Sequence, residues 1–138
     1  MSKKLFLVVG LVMVFSMVLA ACGGGGSSSS GSTSASITMS DFSFEPKEIT
    51  VPAGKEVSVT LTNKGSVEHD WVVMAKPVTP PFDANAEANV LFTQKVAAGA
   101  SQVVKFTAPA AAGEYEIVCS IPGHMEAGMV GKLIVTAP

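Results

Sequence analysis

Three observations predict an all-β domain of the β-sandwich class. In residues 57–62, apolar side chains alternate with hydroxyl-bearing ones, which is the pattern of a half-buried strand. Several more short apolar segments occur along the chain, separated by breaks that contain glycine or proline. Roughly 100 residues carry this pattern, which is enough for one domain with its own core. We therefore expect two packed sheets built from short strands.

Residues 1–21 precede this domain and are organised as a signal peptide. Lys3 and Lys4 are followed by an apolar run from residue 5 to residue 19. This run is shorter than the ~20 residues that span a membrane, so an uncleaved helix is the weaker alternative. Leu19-Ala20-Ala21-Cys22 resembles a bacterial lipobox, which distinguishes a lipoprotein signal from a plain secretory one. We therefore predict that Cys22 is lipidated.

Residues 22–36 form the second region, which is the lipidated cysteine and a linker of almost pure glycine, serine and threonine. Such a segment is a flexible coil with a reach of about 20 Å. Residues 37–138 form the third region, the predicted domain. The expected location is the outer face of the cytoplasmic membrane, periplasmic or otherwise extracytoplasmic, where a lipid anchor holds the domain.

The charge of the mature chain limits its partners. From Cys22 onward there are seven lysines, eleven acidic residues and no arginine, which gives a net charge of −4. This balance argues against nucleic acid as a partner, because its recognition needs basic patches. The mild acidic excess attracts a basic protein only weakly, and salt screens the effect.

The elements of the domain follow from local patterns. The strand at 57–62 ends in a turn at Asn63-Lys64-Gly65, and a second strand runs from His69 to Met74. Prolines at 77, 80 and 81 then break the chain. Residues 82–98 are expected to be an excursion between two strands, with one or two helical turns capped by Asp83. The remaining predicted strands are 101–107, 113–119 and 130–136.

Three soft metal donors lie on one loop, five residues apart each time: Cys119, His124 and Met129. A thiolate and two imidazoles in one plane, with a distant thioether, form the type 1 (blue) copper site that transfers electrons. His69 is the only other histidine in the chain. These four residues therefore predict one copper ion.

Two alternatives apply to this cluster. Cys119 could be a buried, inert thiol, but burial would not explain the histidine and methionine beside it. If Cys22 carries lipid, Cys119 also has no disulfide partner. Zinc binds cysteine and histidine too, but structural zinc sites favour four such ligands and gain little from methionine.

Strand alternation directs two of the ligands toward the core. Cys119 shares a face with Tyr115 and Ile117, and His69 shares a face with Trp71. Two strand ends would therefore supply a rigidly held thiolate and a rigidly held imidazole. Rigid ligands suit a copper ion that changes charge, because little atomic movement accompanies the change.

The spacing Cys-x4-His-x4-Met, with Pro122-Gly123 before the histidine, resembles the cupredoxins, and among them the auracyanin and rusticyanin group. The resemblance covers about residues 37–138, including Asp41-Phe42-Ser43-Phe44-Glu45-Pro46. It implies a Greek-key β-sandwich with copper at one end, His124 as the ligand nearest the surface, and an apolar ring around that histidine, through which electrons pass. The ring residues expected from loop position are Pro122, Met125 and Ala127.

One position departs from the family pattern. Cupredoxins usually carry asparagine after the first ligand histidine, where its side chain connects the two ligand segments, and here Asp70 stands in its place. An aspartate can accept a hydrogen bond from Ser120 or from a backbone N–H, but it donates only when protonated. We expect Asp70 and Ser120 to support the ligands, and the copper potential to depend on pH through Asp70.

Together these features predict a one-electron carrier without enzymatic activity, acting between redox complexes of a respiratory or photosynthetic chain. The expected partners are cytochromes or membrane electron-transfer complexes, and the protein is expected to be a monomer. The main alternative is a copper-binding lipoprotein for metal capture or delivery, although the mature chain has no methionine-rich tract. A copper enzyme such as nitrite reductase would need further histidines, and a purely adhesive β-sandwich would leave the ligand loop unexplained.

Overall fold

The computed structural model describes residues 31–138 and confirms the predicted β-sandwich. The signal peptide, Cys22 and most of the predicted linker lie outside the described residues. The elements, in chain order, are β1 Ser34–Ser40, β2 Ser43–Glu45, β3 Glu48–Pro52, β4 Glu56–Asn63, β5 His69–Met74, α1 Ala84–Glu87, β6 Val90–Val96, β7 Ser101–Thr107, β8 Gly113–Val118 and β9 Val130–Thr136. Within residues 31–138, no helix has the length and apolar character needed to cross a membrane.

Two mixed sheets form the sandwich. One has the strand order β2-β1-β4-β7 and the other the order β3-β9-β8-β5-β6. β1 is parallel to β4 and β3 is parallel to β9, whereas the other pairs are antiparallel. The chain passes repeatedly from one sheet to the other, as expected of a Greek-key arrangement.

The hydrophobic core lies between the two sheets. Val57, Val59 and Leu61 of β4 are fully buried, as their alternation predicts, and Trp71 and Leu133 meet them from the opposite sheet. Burying an aliphatic side chain of this size contributes roughly 1.5–3 kcal/mol to the free energy of folding. The core therefore provides a stable support for the residues at the strand ends.

Strand β5 is buried along its whole length, on both faces. Trp71 and Val73 face the main core, while Val72 and Met74 pack in a second cluster that includes Ala86 of α1. The short helix predicted after Asp83 is confirmed. The Asp83 carboxylate caps it by accepting hydrogen bonds from the backbone N–H groups of residues 85 and 86.

Two expectations about element boundaries were wrong. Residues 90–96 form β6 rather than part of an excursion, and they pair with β5 from His69↔Val96 onward. Their inward-facing positions include Gln94, which weakens the apolar alternation that would reveal a strand. At the other end, β1 begins at Ser34, inside the predicted linker, because its backbone pairs with β4 and needs no apolar side chains to do so.

Candidate metal centre

The described structure brings His69, Cys119 and His124 together at one end of the sandwich. His69 is the first residue of β5, and Cys119 follows the last residue of β8. Because these two strands are antiparallel neighbours, both residues lie at the same end of the sheet. The Nδ1 atoms of the two histidines are 3.1 Å apart. The Cys119 Sγ lies 3.4 Å from Nδ1 of His124 and 4.0 Å from Nδ1 of His69.

This triangle has the size that a single metal ion requires. Metal–nitrogen bonds of about 2.0 Å and a metal–sulfur bond of about 2.3 Å, in one plane, separate the nitrogens by about 3.5 Å and nitrogen from sulfur by about 3.7 Å. The observed distance between the two nitrogens, 3.1 Å, is somewhat shorter than the first value, and the two nitrogen–sulfur distances, 3.4 and 4.0 Å, lie on either side of the second. Two imidazoles and a soft sulfur are also the donor set of a blue copper site, so the residues fit copper in spacing and in chemistry.

The backbone of the loop places Met129 beside the other three residues. The Cys119 N–H donates to the Met129 carbonyl at 3.2 Å, and the Met129 N–H donates to the His124 carbonyl at 2.9 Å. Met129 is fully buried. The loop thus folds back on itself so that its first, middle and last donors meet, as a methionine completing the site would require.

Two glycines allow this loop conformation. Gly123 has φ +86° and Gly128 has φ +94°, a region that residues with a Cβ rarely adopt. Gly123 precedes His124 and Gly128 precedes Met129, so each glycine reverses the chain immediately before a donor. Residues 122–128 accordingly form turns, which bring His124 and then Met129 back toward Cys119.

Burial sets the protonation of the metal-free site. His69 and Cys119 are fully buried and His124 is 8% exposed, so His124 is the histidine nearest the surface. Burial raises the pKa of the Cys119 thiol to about 12. Burial also lowers the pKa of His124, and the neighbouring His69 lowers it further. The metal-free site near neutral pH thus holds a thiol and a neutral His124, and a bound cation must displace the thiol proton.

Asp70 connects the two ligand segments. Its carboxylate is buried, and Oδ1 accepts a hydrogen bond from the Ser120 backbone N–H at 2.6 Å, while Oδ2 accepts one from the Ser120 hydroxyl. Asp70 follows His69 and Ser120 follows Cys119, so these bonds link the residues next to two donors. An aspartate therefore makes both contacts by accepting.

Three residues that contact the site were not predicted to do so from the sequence. Asp41 contacts His69, Phe42 contacts His124, and Gly65 packs against the first of these pairs. Asp41 and Phe42 belong to a segment that supports the family resemblance, but no motif in that segment assigns either residue to the metal site. They lie 28 and 82 residues from the histidines they contact, and only the fold brings them there.

One expectation about the surface around His124 was wrong. Pro122 and Ala127 are exposed, but Met125 is 4% exposed and packs in the cluster that holds Met74 and Ala86. Met125 turns inward because its apolar side chain is buried in that cluster. Phe42, 48% exposed, contributes an apolar side chain at the His124 ring instead.

Comparisons with known proteins agree with this site. A family model described as a cupredoxin-like domain matches residues 7–135. The chain is 34% identical to auracyanin-A of Chloroflexus aurantiacus, with 94% of this chain and 95% of the relative covered. It is 38% identical to the copper-resistant cuproprotein CopI of Rubrivivax gelatinosus, with 72% of this chain covered, and it spans 64% of the length of CopI.

Solved structures show the same fold. Dithionite-reduced auracyanin from the photosynthetic bacterium Roseiflexus castenholzii superposes with a TM-score of 0.65 at 27% identity, over 77% of this chain and 98% of that one. Auracyanin A of Chloroflexus aurantiacus, a blue copper protein, gives a TM-score of 0.59 at 28% identity, over 75% and 99% of the two chains. Donor set, donor spacing, fold and family match all agree: the chain belongs to the cupredoxin family, and its cofactor is one type 1 copper ion.

Proposed function

We propose that this protein is a one-electron carrier whose copper is held by His69, Cys119, His124 and Met129. The observation that carries the proposal is the convergence of two Nδ1 atoms and one Sγ, all within 4.8 Å of one another, on three buried residues. Copper bound there supplies a Cu(II)/Cu(I) couple. The related blue copper proteins auracyanin, rusticyanin and plastocyanin support this class of function.

The surroundings of the ligands favour electron transfer over chemistry on a substrate. His69 begins the buried strand β5, and Cys119 is fully buried directly after the buried end of β8, so the donors keep their positions when the metal changes charge. Four protein ligands leave no evident place for a substrate. The two histidines of the chain are both used, so a second copper site of the histidine type is not available. We infer that the protein does not act as an enzyme.

His124 is the proposed route for electrons. It is the more exposed of the two ligand histidines, at 8% against 0% for His69. Phe42, Pro122 and Ala127 present apolar surface close to it in space or in sequence. A redox partner that docks there would approach the metal through one imidazole ring.

We further propose that the domain is anchored by a lipid on Cys22 and works as a monomer at the outer face of the cytoplasmic membrane. The signal-like residues 1–21, the lipobox-like Leu19-Ala20-Ala21-Cys22 and the glycine- and serine-rich linker support this proposal. The residues between Cys22 and β1 would then act as a tether, and the His124 surface could turn between cytochromes or membrane electron-transfer complexes.

Copper capture or delivery is the second candidate function, and the similarity to the copper-resistant cuproprotein CopI favours it. A delivery protein must release its metal readily to a partner. Here His69, Cys119 and Met129 are fully buried, so a partner can reach only His124 without opening the fold. The burial of the ligands therefore favours the electron carrier.

The test is the visible spectrum of the purified protein after addition of Cu(II), followed by a cycle of reduction and reoxidation. A strong blue band that bleaches and returns supports the carrier, and Cys119→Ser should abolish the band, because the thiolate produces it. A colourless copper complex would contradict the proposal. Rapid loss of copper to a competing chelator, from a protein that is blue at first, would favour delivery.

A further inference from the structure

The turn between β1 and β2 places a carboxylate against one of the copper ligands. Asp41 Oδ1 lies 3.3 Å from Nε2 of His69, while Nδ1 on the other side of that ring faces His124 and Cys119. With Nε2 bearing the proton and donating it to Asp41, the Nδ1 lone pair is free for the metal. The contact therefore selects the tautomer of His69 that can bind copper.

Asp41 is itself held in place by the segment before His69. The Ser66 backbone N–H donates to Oδ1 of Asp41 at 2.9 Å, and the Ser66 hydroxyl donates to Oδ2 at 2.8 Å. The Ser66 side-chain bond, followed by its backbone bond, lowers the pKa of Asp41, so the group is a carboxylate at neutral pH. Its side chain is 42% exposed, so water weakens its charge but leaves the bond geometry intact.

Gly65 leaves the space in which this contact forms. A Cβ at Gly65 would lie 2.5 Å from Asp41 Oδ1 and 2.5 Å from His69 Nε2, closer than real Cβ contacts allow. The Gly65 N–H donates to Oδ1 of the buried Asn63, which also fixes the segment by donating to the carbonyls of Val67 and Val96. A larger residue at position 65 would have to separate the carboxylate from the imidazole.

We propose that Asp41 is a positioning residue for the copper ligand His69 and that it lowers the reduction potential of the copper. The inference rests on the one-electron function proposed above. An anionic acceptor on Nε2 makes the imidazole a stronger donor at Nδ1, which stabilises Cu(II) more than Cu(I). If Asp41 had only a structural role, in which its bonds to Ser66 hold two loops together, its loss would lower stability and leave the reduction potential unchanged.

The test compares reduction potentials of the copper-loaded protein and four variants. Asp41→Asn keeps the shape and removes the charge, Asp41→Ala removes the acceptor, and Gly65→Ala keeps the charge but separates the pair. Glu56→Gln is the matched control, since it removes one exposed negative charge at the far end of β4. Loss of a residue that hydrogen-bonds a metal-ligating histidine typically weakens metal binding roughly 10–100-fold. We expect the first three variants to favour Cu(I) by roughly tenfold, about 59 mV for one electron, and the control to match the parent.

A second readout needs no metal. In the metal-free parent, nitrogen NMR should show His69 with its proton on Nε2, whereas Asp41→Ala should show a mixture of tautomers. Potentials of all Asp41 and Gly65 variants equal to that of Glu56→Gln, or an unchanged tautomer in Asp41→Ala, would overturn the proposal. A parent without a reversible blue band would contradict the electron-carrier function instead, and the tautomer measurement would still decide the role of Asp41.

Discussion

The ring of Phe42 stands nearly perpendicular to the ring of His124, with the two centroids 5.3 Å apart and an angle of 86° between the planes. Phe42 has φ +65°, a backbone conformation that costs energy for a residue with a large side chain. The turn therefore holds an aromatic ring, half exposed, against the outermost copper ligand. Strain of this kind at a site edge suggests that the position of the ring matters for function.

Phe42→Ala should lower the reduction potential. Without the ring, water reaches His124, and water stabilises the positively charged Cu(II) site over the neutral Cu(I) site. We expect a change of about 1 kcal/mol, roughly 40 mV for one electron, measured by redox titration. Val103→Ala is the control, because Val103 is 65% exposed on β7, in the sheet that carries no ligand. Equal potentials in the two variants would contradict the covering role of Phe42.

Asp70→Ala should destabilise the metal-free protein. The change leaves the Ser120 N–H and hydroxyl without their acceptors at a part-buried position, which costs roughly 1–3 kcal/mol. Thermal unfolding measures this loss as a fall in Tm of about 4–8 °C for each kcal/mol. Ser120→Ala removes only the hydroxyl and should cost less. A Tm for Asp70→Ala at or above that of Ser120→Ala would refute the connecting role of Asp70.

Asp70→Asn should raise the reduction potential, because it removes a buried negative charge next to the ligand His69. A nearby negative charge stabilises Cu(II), so its loss favours Cu(I). Redox titration of both proteins measures this effect, and a potential of Asp70→Asn at or below that of the parent would contradict it.

The stability of the metal-free protein should fall at alkaline pH because of Cys119. Its pKa is about 12 in the folded chain, against an ordinary value of 9.0 for a free thiol, because burial disfavours the thiolate. As the pH rises from 9 to 12, the unfolded chain loses the thiol proton while the folded chain keeps it, so the free energy of unfolding decreases. Each pKa unit corresponds to 1.36 kcal/mol, so the fall is several kcal/mol at most. Denaturant unfolding of the parent and of Cys119→Ala measures it, and identical slopes against pH would count against it.

Met129→Gln should lower the reduction potential and keep the blue colour. An amide oxygen is a harder donor than a thioether, so it stabilises Cu(II) relative to Cu(I). The other three donors stay in place because the backbone bonds of residue 129 to Cys119 and His124 do not involve its side chain. Redox titration and the visible spectrum measure the two outcomes. A potential equal to that of the parent would mean that Met129 does not reach the copper.

Much of the fold and most of the ligand set follow from the sequence, because local patterns encode them. Period-two alternation identifies β4 and directs its apolar side chains to the core. Cys119, His124 and Met129 share one loop, and the chain has only one other histidine to complete the site. The capped helix after Asp83 is equally local. β6 was missed since its pairing with β5, rather than its own apolar pattern, makes it a strand.

Only the tertiary structure decided what surrounds the metal. Asp41 contacts His69 and Phe42 contacts His124 because the β1–β2 turn packs over the strand ends. This packing follows from the register of the sheets, which the spacing of residues in the sequence does not reveal. Gly65 matters because of the space it leaves between two other side chains. Met125 turns inward because it packs against side chains of β5 and α1, which are distant from it in sequence. Donor identity is a property of single residues, whereas orientation, hydrogen bonding and access to water arise from contacts between distant segments.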